Sequence, residues 1–153
     1  MMNFIFENWD KLLGFIIAIG GGYKYFDTRR RELAWKRTEF LFGQAALLDT
    51  DKDMGVAIQI IEGRHASITV DSLFRPNGDP DTDAQGDAWQ NIDRLLNLLD
   101  RIAYSVLELK TLDISEARNF GWYLEKIENN TLMKEYCENN GYSDIIKLSK
   151  KIY

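Results

Sequence analysis

From Asp87 onward, apolar residues advance by three and four: Trp89, Ile92, Leu96, Leu99, Ala103 and Val106, with Leu95 and Ile102 widening the stripe. That is the spacing of one buried helix face. Shorter segments repeat it. Asp49-Thr50-Asp51-Lys52-Asp53 precedes a face made of Met54, Ile58 and Ile61. Its aspartates can accept the first N–H groups of a helix, and Gly63 supplies a stop. Ser67 is expected to open a further helix carrying Ile68, Val70, Leu73 and Phe74, and residues 75–87 (RPNGDPDTDAQGD) read as a loop. Asp113-Ile114-Ser115-Glu116 has the form of a capping box, with Ile114, Ala117, Phe120, Leu124 and Ile127 along one side of the helix that follows. Asn130 or Thr131 starts another helix, which Gly141 closes, and Ser143 caps the last. No segment alternates strictly enough to require a strand; SITVDSLF is the one doubtful stretch.

The N-terminal part has a different pattern. Leu12 to Tyr23 is an unbroken apolar run of twelve residues, followed by Lys24, Arg29, Arg30, Arg31, Lys36 and Arg37 against only Asp27 and Glu32. A hydrophobic segment with a basic band on one side is the usual form of a membrane anchor whose C-terminal side is cytoplasmic. Twelve residues make about 18 Å of helix, short of the roughly 20 residues that a bilayer needs. Extension to Trp9 and Phe26 adds aromatic ends suited to the two interfaces, and Met1 to Phe6 add further apolar groups. Glu7 and Asp10 stand where a cleaved signal peptide would carry a basic leader. Gly14, Ala18 and Gly22 recur every four residues, a spacing that lets membrane helices approach closely.

The expected fold is therefore all-α, with an N-terminal transmembrane helix followed by a cytosolic helical domain of about six helices. The boundaries run 1–26 for the anchor, 27–48 for a basic juxtamembrane helix carrying Leu33, Trp35, Phe40, Leu41, Ala45 and Leu48, and 49–153 for the domain. The expected location is the inner membrane, single-pass, with the lipid bilayer as a partner.

Charge sharpens this division. The net charge of −5 hides an asymmetry: residues 24–37 carry six basic and two acidic groups, residues 38–101 five basic and twelve acidic. The basic band suits anionic headgroups, while the acidic body should be repelled by duplex nucleic acid. Cys137 is the only cysteine, so an internal disulfide is excluded and a reducing compartment fits.

Candidate chemistry is sparse. His65 is the only histidine, and neither Ser67 nor Ser105 lies in a nucleophile elbow. Both aspartate-rich stretches lack the glycine and glutamate of a calcium loop, with Met54 and Ile60 in those places in one and Ala84 and Gln90 in the other. No metal, no cofactor and no enzymatic activity are expected. Gly63-Arg64-His65-Ala66-Ser67 brings a guanidinium, an imidazole and a hydroxyl to an expected helix start, where free N–H groups favour an anion. Arg64, His65 and Ser67 are thus the candidate ligand-binding residues, although the same residues could simply cap helix ends. Trp35, Trp89 and Trp122 are expected in the core.

The stretch WKRTEFLF, the helix LLNLLDRIA, and FGWYLEKI followed by YCENNGYSDI complete a plan of anchor, basic collar and helical body. In size and plan the chain resembles the small membrane effectors of type III CRISPR antiviral defence. That resemblance implies a homo-oligomer that binds a cyclic oligoadenylate and alters its membrane helices. The alternative is a membrane-tethered helical module that binds other proteins and takes no small ligand.

Overall fold

The computed structural model describes residues 9–74 and 83–153, with side chains placed from Leu13 onward. The described residues are helical throughout, with no strand among them. The chain divides into two units, Met1–Phe40 and Leu41–Tyr153. Helix α1 (Trp9–Thr50) runs through the division. It is followed by α2 (Lys52–Ile61), the single turn α3 (Val70–Leu73), α4 (Asp83–Leu107), the single turn α5 (Ile114–Ala117), a 3-10 turn (Arg118–Phe120), α6 (Gly121–Asn129), α7 (Thr131–Asn139) and α8 (Ser143–Ile152).

The all-helical class thus agrees with the sequence, but the membrane-spanning element does not. Among the described residues no helix is long and apolar enough to cross a membrane. The expected transmembrane helix, and with it the single-pass inner-membrane location, is corrected accordingly. The physical reason is dilution: Lys24 closes the apolar run on one side, and Gly14, Gly20, Gly21 and Gly22 add little hydrophobicity within it. Residues 1–8, which were expected to lengthen the segment, lie outside the described residues.

Helix ends in the second unit follow local chemistry. Asp51 caps α2, its Oδ1 accepting the N–H groups of Asp53 at 2.9 Å and Met54 at 3.3 Å. Gly63 follows α2 at φ +72°, a conformation that costs a residue with a side chain. Thr69 caps α3, exchanging hydrogen bonds with Ser72, so the cap lies two residues after Ser67 and SITVDSLF is not a strand. The loop expected over 75–87 ends earlier, because 83–87 already belong to α4; residues 75–82 lie outside the described residues. At α5 the Asp113 N–H donates to Glu116 Oε2 at 2.7 Å, and Gly141 closes α7 at φ +90°.

The core of this unit lies along α4, which packs against α2 and α8, while α6, α7 and α8 pack on one another. Ile92, Leu95, Leu96 and Leu99 are fully buried, as the stripe requires, and so are Ile127 and Ile145. Each such side chain contributes roughly 1.5–3 kcal/mol through removal from water. Gly121 marks the closest approach of α6 to the chain end, since a Cβ there would stand 3.0 Å from the Tyr153 hydroxyl. Ile114, expected inside, is exposed because α5 is a single turn in which Ala117 takes the buried position.

Candidate functional site

Three places carry chemistry beyond core packing. The first is the turn after α2. Arg64 ion-pairs with Glu62, two residues earlier. His65 Nδ1 accepts from the N–H of Ile68 at 3.1 Å and of Ser67 at 3.4 Å. The imidazole therefore occupies N–H groups that an anion would otherwise take. Arg64 and Ser67 are exposed and His65 is half-buried, so the three candidate residues share one turn. They do not sit at the start of a long helix, since α3 has four residues and is capped by Thr69.

The second place is the first unit. Leu13, Phe15, Ile16, Ile17 and Ile19 are 47%, 67%, 57%, 66% and 57% exposed. At 100° per residue these five positions spread over an arc of about 200° of α1, and Gly14, Ala18, Gly21 and Gly22 occupy the remaining side, so the segment has a broad apolar face and no polar one. Gly14 and Gly22 have open space where a Cβ would be, and Ala18 is exposed. Beyond Lys24, Arg31 pairs with Asp27 at 3.0 Å and Arg29 with Glu32 at 3.4 Å, solvent-facing contacts worth little to stability. Trp35, expected in the core, is 71% exposed. Further along α1, Leu41 and Ala45 are half-buried and Leu48 is buried.

The third place is an aromatic junction in the second unit that the sequence did not single out. Phe74, Trp89 and Tyr136 meet with ring centroids 4.7 Å (Phe74–Trp89), 5.0 Å (Phe74–Tyr136) and 4.7 Å (Trp89–Tyr136) apart. They line a cavity of about 320 Å³ together with Leu73, Leu132, Glu135, Asn139 and Asn140. Behind it, the Tyr142 hydroxyl donates to Asp93 Oδ1 at 2.6 Å and accepts from Asn97 Nδ2 at 3.0 Å. Burial, followed by the charge and hydrogen bonding of Asp93, pushes the Tyr136 hydroxyl above its ordinary pKa, and burial followed by the Asp93 bond does the same at Tyr142. Periodicity placed Trp89 on a core stripe, and it is in fact half-buried. The rings come from sequence positions 74, 89 and 136, so only the packing of α3, α4 and α7 reveals the cavity. Trp122 is also part-exposed, with Lys126 Nζ 5.5 Å from its ring centre.

Other reactive groups are quiet. Burial, then the charges of Asp100 and Glu138, pushes the Cys137 thiol up to about 12, which keeps it protonated and poorly nucleophilic. Among the described residues no three His, Cys, Asp or Glu side chains gather closely enough to hold a metal ion. Comparison with known proteins finds no matching family, no matching curated protein and no matching solved structure.

Proposed function

We propose that this protein is a non-enzymatic interaction module that assembles with further copies of itself through the apolar segment of α1. The observation that carries the reading is the exposure of Leu13, Phe15, Ile16, Ile17 and Ile19 over more than half of the circumference of that helix, with only glycine and alanine on the rest. An isolated helix that is apolar all round is unfavourable in water, and one neighbour covers only one side. Three or more helices in a bundle cover all of it. Gly14, Ala18 and Gly22 would let neighbouring backbones approach. Burial of the five large side chains would stabilise the assembly by roughly 1 kcal/mol each at their present exposure. The acidic body, which does not suit duplex nucleic acid, would be carried as the second unit of each copy.

The test is the double variant Ile16→Asp with Ile17→Asp in the full chain, followed by light scattering in detergent-free buffer. Buried carboxylates would be intolerable in the bundle, so the variant is expected to run as a folded monomer where the unaltered protein runs as an oligomer. Equal masses for the two, or an unaltered protein that gathers only on lipid vesicles, would refute the reading.

A second reading makes the protein a sensor for an anion such as a cyclic oligoadenylate. It is favoured by the clustering of exposed Arg64 and Ser67 beside His65 in one turn. Such a ligand would have to displace Glu62 from Arg64. Binding of cyclic oligoadenylate at low salt that is lost in Arg64→Ala would support it, and no binding would end it.

A further inference from the structure

Among the described residues, every polar group that lines the aromatic cavity is acidic or neutral. Glu135 is exposed and has no ion-pair partner among the described residues. Asn140 donates one of its two Nδ2 hydrogens to the Tyr136 carbonyl at 2.9 Å, and its side-chain oxygen can only accept. Among the described residues that line it there is no lysine or arginine. The wall is therefore electron-rich in three ways: aromatic rings, a carboxylate and an amide oxygen.

The rings strengthen this bias. The Phe74–Trp89 and Phe74–Tyr136 contacts are edge to face, at 68° and 66°, so the three rings lie at different inclinations around the cavity. A ring face attracts a cation, and indole does so best. Asp93, which accepts the Tyr142 hydroxyl at 2.6 Å, adds its negative charge close to Tyr136. The volume of about 320 Å³ is at the small end for ligand sites and suits a compact head group with a short chain.

We propose that the cavity formed by Phe74, Trp89, Tyr136 and Glu135 binds an alkylammonium group, held over the aromatic rings and paired with the Glu135 carboxylate. The group belongs either to a free small amine or to a methylated lysine side chain presented by another protein. The site is independent of assembly through α1, and neither result decides the other.

Calorimetric titration of the full chain tests it with three probes: choline, its neutral carbon isostere dimethylbutanol, and trimethyllysine blocked at both ends. At least one of the two cations is expected to bind, and the isostere about tenfold more weakly or not at all, because it fills the same space without the charge. Tighter binding of the lysine derivative points to a protein side chain as the natural source, and tighter binding of choline to a free amine. Glu135→Gln alters an exposed position, so its fold should be intact, and it is expected to weaken cation binding about three- to tenfold. Trp89→Phe should retain part of the binding and Trp89→Leu should lose it. Equal affinity for choline and its isostere, no binding of either cation, or unchanged binding in Glu135→Gln and Trp89→Leu alike would overturn the proposal.

Discussion

The two longest helices use apolar residues in opposite ways. In α4 the apolar positions are spaced by three and four, and Ile92, Leu95, Leu96, Leu99 and Ile102 are buried while Arg94, Asn97 and Arg101 between them face water. In α1 the apolar residues from Leu13 to Ile19 are nearly contiguous, and they remain exposed. The first pattern is self-sufficient, because one stripe needs one set of neighbours and its own unit supplies α2 and α8. The second cannot be satisfied by a stripe's worth of neighbours. Hydrophobicity alone thus does not decide where a helix goes; its angular distribution does.

The sharpest way to break this comparison is truncation in each helix. Leu99→Ala leaves a cavity in the core of the second unit and should cost about 2–5 kcal/mol in urea unfolding. A cost under about 1 kcal/mol would mean that α4 is not the centre of that core. Asp51→Ala removes the cap of α2, the helix that covers part of α4, and should cost about 1 kcal/mol. Retention of full stability would show that packing alone holds α2 in place.

Asp100 is the soft spot on the α4 face. Its Oδ1 is buried without a hydrogen-bond partner. Burial, then the Asp144 charge, raise its pKa above the ordinary 3.8, with Lys147 opposing. A raised folded-state value means that the charged form is penalised on folding. The penalty is full above the folded-state pKa and fades as pH falls through it toward 3.8. Asp100→Asn should therefore raise neutral-pH stability, by under about 1 kcal/mol because much of the group is solvated and screened. Thermal melts across acid pH check the sign: the advantage should shrink as pH falls, and an advantage that grows would contradict it. Ile17→Ala is expected to have the smallest effect on folding, within about 0.5 kcal/mol, because its side chain touches no core. It should still weaken assembly, which would separate folding from association in α1.

Much of the second unit was legible in the sequence because its signals are local. Asp51, Gly63, the Asp113–Glu116 pair and Gly141 stand at helix ends, and the stripe of α4 is one face of one helix. The start of α3 was misjudged by two residues because Thr69 competes with Ser67 as a cap, and Thr69 finds its partner in Ser72. The membrane span was misjudged because a short run beside a basic band imitates an anchor, while length and overall hydropathy decide the matter. The aromatic cavity was not legible, since Phe74 and Trp89 read as positions on separate helix faces, Tyr136 lies far from both in sequence, and only three-helix packing brings them together. The turn of Arg64, His65 and Ser67 was visible as a cluster, but the pairing of Arg64 with Glu62 and the acceptor role of His65 Nδ1 depend on backbone geometry that spacing does not report.

Sedimentation of the unaltered full chain in detergent-free buffer, over a wide range of dilution, tests most directly whether α1 is an assembly element. A discrete species of at least three copies that dissociates on dilution is expected. A well-folded monomer at every concentration, with the apolar segment of α1 still open to solvent, would contradict it.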